Sequence, residues 1–256
     1  MFDSLKSRPP CKVWMPRTHV TKGDSSLSQA LQKEGIIVRE HALQRIQYLG
    51  HLELAPDFSA SWWVFSSAIA VLVWADYLNA TQETHRANTV QIACVGDATA
   101  KAIETHFNRP ADFVPKDAQD AAYLAHAFNE HQPKPTSCLW VCSALGDDTL
   151  LHGLKTGGHH VQRVSLYKPI PLEAQALVEL FEDAVAFSPD VVLLTSPSNV
   201  NVLASMGAFE RVHPQKWICL GQRSFEAVLA LGTEVSIETL EHPTAEAILN
   251  ACTSIC

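Results

Sequence analysis

The sequence predicts an α/β protein with two similar domains, in which parallel sheets are flanked by helices. One observation is that aliphatic runs such as Val191–Leu194 show no alternation, which is typical of strands covered on both faces. A second is that a helix start follows directly, because Ser196 is a good N-cap. A third is that the same unit occurs at Trp62–Val71, where Ser67 corresponds to Ser196.

The repeat extends beyond these two serines, which lie 129 residues apart. Gly96 and Gly221 follow two similar strands at a spacing of 125 residues, and Gly35 and Gly158 follow two similar helices at 123. Three pairs of segments thus recur in one order and at nearly constant spacing. We therefore interpret the chain as two copies of one α/β module.

The composition restricts the class of protein. A length of 256 residues suffices for two domains of ordinary size, and 47% apolar residues predict packed cores. A formal net charge of −8 argues against a general nucleic-acid binder. The sequence shows neither an apolar run that could span a membrane nor a secretory signal, so we expect a cytoplasmic protein. Seven irregularly spaced cysteines predict reduced thiols.

The chain begins with a predicted strand, helix and strand. We place them at 12–17, between Leu27 and the cap Gly35, and at 36–38. Residues 39–56 carry no clear period, and we place a crossing into the other domain there.

The middle third alternates strands with helices, which predicts a parallel sheet. The strands are predicted within 62–71 and at 90–95, 112–115, 138–141 and 160–167. The helices are predicted to run to about Asn79, through Ile103 and Phe107, from Asp117 to Asn129, and through Leu150 and Leu154.

The last third continues this alternation after Pro169 and Pro171, which we interpret as the return crossing. Strands are predicted at 191–194, 216–220 and 235–237, and helices at 173–181, from Ser196 to Gly207, up to Gly232 and from His242. From this order of elements we assign two domains. The first is discontinuous and comprises residues 1–42 and 171–256, and the second is inserted at 50–166. The linkers between them are residues 43–49 and 167–170.

Several short motifs, read in order, resemble those of the uroporphyrinogen-III synthase family over nearly the whole chain. They are Met15-Pro16-Arg17, Phe65-Ser66-Ser67-x2-Ala70-Val71, Val95-Gly96-x2-Thr99-Ala100, Val164-x2-Tyr167, Leu194-Thr195-Ser196-Pro197-Ser198-x-Val200, Leu220-Gly221-x2-Ser224 and His242-Pro243-Thr244. Each motif is weak alone, and their shared order and spacing carries the resemblance.

The resemblance implies two α/β domains joined by a flexible two-stranded connection, with the active site in the cleft between them. It implies a linear tetrapyrrole substrate, hydroxymethylbilane, that bears carboxylates on every ring. An enzyme of this family removes the terminal hydroxyl, inverts the last ring through a spiro intermediate and closes the macrocycle. The resemblance implies no metal and no organic cofactor, and we expect a monomer without nucleic-acid or membrane partners.

The resemblance also implies roles for individual residues. Tyr167 matches a tyrosine proposed to assist departure of the hydroxyl, and a neutral phenol can donate a proton. The implied substrate-binding residues are Arg17, Ser67, Thr99, Ser196, Ser198 and Ser224. Each has a plainer interpretation: Tyr167 as a packing aromatic, the hydroxyl residues as helix caps, and Arg17 as an exposed loop charge.

One departure from the family pattern keeps other functions open. The segment Ser143-Ala144-Leu145-Gly146-Asp147-Asp148, which we call the acidic loop, lacks the arginine that family members often carry there. The alternatives are a non-catalytic bilobal module that binds a small anion, and a regulator that has lost activity. His159-His160 and Cys138-x3-Cys142 do not form a zinc spacing, and Gly96 lacks a dinucleotide fingerprint.

Overall fold

The computed structural model describes residues 9–18, 25–49, 55–116, 121–240 and 244–255. The chain divides into two compact units. Unit one comprises Met1–Arg45 and Ile170–Cys256, and unit two comprises Ile46–Pro169.

The described residues form ten strands and ten α-helices. The strands are β1 (Lys12–Arg17), β2 (Ile37–Ala42), β3 (Gln44–Tyr48), β4 (Trp62–Phe65), β5 (Gln91–Cys94), β6 (Ser137–Ser143), β7 (His160–Pro171), β8 (Val191–Leu194), β9 (Lys216–Cys219) and β10 (Ile237–Thr239). The helices are α1 (Ser26–Lys33), α2 (Ala68–Ala80), α3 (Asp97–Phe107), α4 (Ala121–His131), α5 (Thr149–Thr156), α6 (Ala174–Phe187), α7 (Pro197–Ser205), α8 (Ala208–Arg211), α9 (Gln222–Leu229) and α10 (Ala245–Thr253).

Each unit is built on a sheet that has five strands in the described part of the chain. The first has the order β10-β9-β8-β1-β2, and all of its neighbouring strands are parallel. The second has the order β3-β7-β6-β4-β5, with β7, β6, β4 and β5 parallel. The prediction of two parallel sheets flanked by helices is therefore confirmed.

Both faces of each sheet are covered, which explains the unbroken apolar runs. In β8, Val192 and Leu194 pack on one core with α6 and α7, while Val191 and Leu193 pack on another with α1 and α10. The strand β4 divides its four residues in the same way between two cores of unit two. A strand buried on both faces has no solvent side, so its sequence does not alternate.

The strands β3 and β7 carry the chain between the units. In unit two, the Leu49 N–H donates to the Leu166 carbonyl at 2.8 Å, and in unit one, the Leu172 N–H donates to the Leu43 carbonyl at 3.1 Å. The two bonds run along the pair in opposite directions, as in an antiparallel ladder. The two strands form the predicted two-stranded connection.

The strand β7 runs four residues beyond the predicted end at Tyr167 and includes Pro169 and Pro171, which we interpret as the return crossing. Neighbouring residues of a strand point their N–H groups to opposite sides. Leu166 and Leu172, both even-numbered, form their backbone hydrogen bonds on the side of β3. The odd-numbered residues Pro169 and Pro171 therefore point their ring nitrogens away from β3. The strand β6 has ended at Ser143 on that side. The missing N–H groups therefore break no ladder bond.

Other boundaries differ from the prediction where the pattern is weak. The segment 39–56 contains the end of β2 and all of β3, whose side chains are mostly half-buried or exposed. Residues 112–115 make only a single bridge, from Phe113 to Ala93, and β10 begins two residues later than predicted. The start of the predicted helix at Asp117 and the motif residues His242 and Pro243 lie outside the described residues.

Among the described residues, five cysteines carry the predicted free thiols. Buried free thiols belong to Cys94, Cys138, Cys142, Cys219 and Cys252. Cys11 is disulfide-bonded, so the prediction of reduced thiols is wrong for that residue. Among the residues that the structure describes, none of the helices has the length and apolar character to cross a membrane.

Candidate active site

The predicted serine and threonine site residues lie at helix starts on the carboxyl edges of the two sheets. Ser67 follows β4 and is the N-cap of α2, and Ser196 follows β8 and is the N-cap of α7. Both have φ −159° and ψ 151°, so the repeat seen in the sequence is preserved in the backbone. Their hydroxyls accept hydrogen bonds from the N–H groups of Ala70 and Asn199 at 3.2 and 3.4 Å. The capping role expected from the plainer interpretation is therefore present at both positions.

Two glycines form the second matching pair of helix starts. Gly96 precedes α3 with φ +74°, and Gly221 precedes α9 with φ +127°, a region that favours glycine. A Cβ at either position would have no neighbouring atom within 4 Å among the residues of the structure. The backbone is therefore uncrowded at both helix starts, where N–H groups without intrahelical partners favour anions.

Thr99 and Ser224, three residues after these glycines, are buried. Their exposed fractions are 4% and 3%. Such burial fits a structural role under the helix starts, and direct contact with a substrate stays a prediction for both.

A β-bulge sets the orientation of Tyr167. Along the β6–β7 pair, Cys142 lies opposite Ser165, but the next residue, Ser143, lies opposite Tyr167, so Leu166 is skipped. Alternation alone would place Tyr167 on the face of Ser165. The skipped residue places it instead in the same core cluster as Leu166. Bulges commonly re-aim a side chain beside a functional site.

The Tyr167 hydroxyl lies 3.2 Å from the Ser67 hydroxyl. Tyr167 is buried, and this burial raises the pKa of its phenol to about 12, although the hydrogen bond to Ser67 acts in the opposite direction. The phenol is therefore protonated at neutral pH. Two hydroxyls carry two protons, and their mutual hydrogen bond uses one, so the pair retains one O–H for another acceptor.

In unit one, the helix start at Ser196, which corresponds to Ser67, adjoins a hydrogen-bond network centred on the Asn199 amide. The Asn199 side chain is fully buried and donates to the Pro16 carbonyl and the Thr195 hydroxyl, each at 3.2 Å. Its oxygen accepts from Gln44, the first residue of β3, at 3.0 Å and from Thr18 at 3.4 Å. The network thus ties the start of α7 to the end of β1 and the start of β3.

Two predicted residues adjoin this network. Ser196 is 3.3 Å from the Thr18 hydroxyl and 3.2 Å from the Ser198 hydroxyl. The structure therefore brings Ser196 and Ser198 together in unit one, as it brings Ser67 and Tyr167 together in unit two.

Arg17 already has a carboxylate partner within the protein. Its guanidinium lies 3.3 Å from Glu40, whose side chain is only 5% exposed and also accepts from the backbone N–H and hydroxyl of Ser25. Ser25 caps α1. Arg17 therefore stabilises the α1 start through Glu40, and a contact with a substrate carboxylate stays a prediction.

Arg163 is a residue that the sequence did not single out. It lies on β7 and pairs with Asp148 of the acidic loop. The two residues are fifteen positions apart, on a strand and a loop, and no local pattern links them. A pairing of this kind is set by the tertiary structure alone.

A cavity of about 550 Å³ lies elsewhere in unit two. Its lining includes Ser137 and His160, which begin β6 and β7. It therefore lies at the amino edge of the sheet, opposite the edge that carries Tyr167. Within the described residues, no cluster of three or more acidic, histidine or cysteine side chains could hold a metal ion.

The sequence matches the family model described as uroporphyrinogen-III synthase HemD over residues 25–250. The solved uroporphyrinogen-III synthetase from Helicobacter pylori is 15% identical with a TM-score of 0.62, and the match covers 97% of this chain and 100% of that one. A mutant uroporphyrinogen III synthase from the extremely thermophilic bacterium Thermus thermophilus is 12% identical with a TM-score of 0.52, and the match covers 96% of this chain and 98% of that one. At such identities, the structural likeness bears on the fold alone. No curated protein matches the chain.

Asn199→Ala should lower the free energy of unfolding by about 1–3 kcal/mol, because the buried Gln44 amide loses the acceptor of its hydrogen bond. Chemical denaturation of the variant and the wild type measures the difference. The matched control is Asn201→Ala, two residues further along α7, where the side chain is exposed. Equal losses in the two variants would show that the buried network contributes nothing specific.

Proposed function

The chain belongs to the uroporphyrinogen-III synthase family, and on that premise we propose how its own residues perform the reaction. The function is the closure of hydroxymethylbilane to uroporphyrinogen III, a step of tetrapyrrole biosynthesis that a lyase catalyses. We propose that this chain acts as a cyclising hydro-lyase, inverting the last pyrrole ring and releasing one water. The monomeric state and the cytoplasmic location stay predictions from the sequence.

We assign proton donation to Tyr167. Hydroxide is a poor leaving group, and a positioned acid lets it depart as water. The single observation that carries this assignment is the Tyr167 side chain itself, which a bulge turns onto the capping hydroxyl of α2 at 3.2 Å. A phenol with a pKa of about 12 is in its donating form at any physiological pH.

The atoms balance for this step. The Tyr167 proton and the departing hydroxide form water, and the substrate becomes an electrophile at the former hydroxymethyl carbon. The substituted carbon of the last ring attacks that centre, giving the spiro intermediate expected of the family. The bond between the substituted carbon and its original bridging carbon then breaks, and that bridging carbon bonds to the free carbon of the last ring, which inverts the ring and closes the macrocycle. The proton lost from the free carbon returns to the Tyr167 phenolate, so the net change is loss of one water.

Helix starts supply the binding groups for a polycarboxylate substrate. The carboxyl edges carry the starts of α2, α3, α7 and α9, each with backbone N–H groups that lack intrahelical partners. The positive ends of the helix dipoles favour anions at these places. This local field supports anion binding even though the chain has a formal net charge of −8.

Holding the substrate in one geometry is the main catalytic task. The linear tetrapyrrole can close without ring inversion, so the enzyme has to favour attack by the substituted carbon over the free one. Orientation of this kind contributes through proximity and restricted freedom and does not require a strong nucleophile. The hydroxyl-rich and amide-rich helix starts suit such a role.

The purified chain should convert freshly generated hydroxymethylbilane to the type III isomer faster than the substrate closes on its own. Chromatographic separation of the oxidised products measures the ratio of the two isomers. Only type I product at the uncatalysed rate would refute the function, and saturable binding without turnover would favour the non-catalytic module.

Tyr167→Phe should lower kcat by about 10²-fold, because the variant lacks the donated proton but keeps the ring that packs in the core. Steady-state kinetics with the type III product as readout measures the loss. Tyr123→Phe removes a hydroxyl from a side chain that is 46% exposed on α4, and this control should retain wild-type kcat. A Tyr167→Phe variant with wild-type kcat and an intact fold would remove Tyr167 from the mechanism.

A further inference from the structure

The guanidinium of Arg163 binds the acidic loop at three points. One terminal nitrogen donates to the Ser143 carbonyl at 3.2 Å and to the Gly146 carbonyl at 2.8 Å, and the other pairs with the Asp148 carboxylate. The guanidinium also lies over the Trp140 ring, 5.2 Å from its centroid. A planar fork with five N–H donors suits such a set of acceptors, and a lysine ammonium does not reproduce its geometry.

The acidic loop lies directly beside Tyr167. The Ala144 N–H donates to the Tyr167 carbonyl at 2.8 Å, and Ser143 lies opposite Tyr167 along the β6–β7 pair. Just beyond this point the Gly146 N–H returns to the Ser143 carbonyl at 3.0 Å, and Arg163 donates to the carbonyls of both residues. Arg163 thus ties the far part of the loop, at Gly146 and Asp148, back to β7.

The charge of the loop is a problem for a polycarboxylate substrate. The loop contains two carboxylates, from Asp147 and Asp148, and its sequence contains no basic residue. Like charges repel, and even in water a pair of unit charges at contact distance changes an equilibrium severalfold. Pairing with Arg163 neutralises Asp148, and Asp147 accepts a hydrogen bond from the Thr149 N–H at the start of α5 at 3.0 Å.

We infer that Arg163 is a positioning residue that holds the acidic loop beside Tyr167 and neutralises Asp148, so that the loop admits an anionic substrate. The inference rests on the proposed function, because the substrate class comes from it. It gives a physical account of the departure from the family pattern: the arginine absent from the loop is replaced by one that reaches it from β7.

Unit two offers a matched control in Arg109. Its guanidinium also donates to two backbone carbonyls, those of Ala87 and Val90, each at 3.0 Å, and pairs with an aspartate, Asp112, at 2.6 Å. These contacts lie before β5, at the amino edge of the sheet and away from Tyr167. Arg109→Gln therefore removes an equivalent set of bonds without changing the charge near the proposed site.

Arg163→Gln should raise the KM for hydroxymethylbilane about three- to tenfold at low ionic strength, more than it lowers kcat, because Asp148 is left uncompensated. Arg109→Gln should leave KM unchanged. Two measurements distinguish an effect of charge from an effect of structure. Asp148→Asn introduced into Arg163→Gln should bring KM back toward the wild-type value. Added salt should reduce the ratio of the KM of Arg163→Gln to that of the wild type.

The inference is overturned if Arg163→Gln and Arg109→Gln have the same KM, or if neither salt nor Asp148→Asn reduces the effect. Circular dichroism checks that each variant folds. Should Arg163→Gln fail to fold, Asp148→Asn alone is the test, because it unmasks the positive charge of Arg163. A KM below the wild-type value at low ionic strength supports the inference, and a KM at or above the wild-type value rejects it. A wild-type chain that forms no type III isomer would instead reject the proposed function.

Discussion

The hydrogen bond between Ser67 and Tyr167 is the contact on which the account of this protein depends. It joins the start of α2 to β7, the strand that leads out of unit two. It exists because one skipped residue in β7 turns Tyr167 away from Ser165. The same residue pair thus meets a structural need, the capping of a helix, and presents a protonated phenol at the carboxyl edge of a sheet, where α/β proteins bind ligands.

The two units use one backbone design for different tasks. Ser67 and Ser196 have identical cap geometry, yet the first meets a phenol and the second a network centred on a buried amide. An asparagine whose polar atoms are satisfied by Pro16, Thr195 and Gln44 has no proton to give at neutral pH, and it fixes the strand ends around it. We interpret unit two as the unit that supplies the proposed acid.

The sequence predicted what local patterns determine and missed what tertiary pairing determines. Unbroken apolar strands and capping serines identified the parallel sheets and both helix starts, because burial and capping act within a few residues. Strand β3 was not predicted, because its side chains are mostly half-buried or exposed and give no clear hydrophobic pattern. The bulge at Leu166 was not predicted either, because the alternation of residue types gives no sign of a skipped residue. The pairing of Arg163 with Asp148 likewise joins distant positions. Placement of the active site between the two units stays a prediction.

A double-mutant cycle on kcat tests the central contact most directly. Ser67→Gly removes the hydroxyl and retains most of the capping, since glycine is tolerated at an N-cap. If the two hydroxyls act as one donor, Ser67→Gly should lower kcat in the wild type and have little further effect in Tyr167→Phe. Losses that multiply independently, with the same factor in both backgrounds, would contradict the account and separate Ser67 from the proton donor.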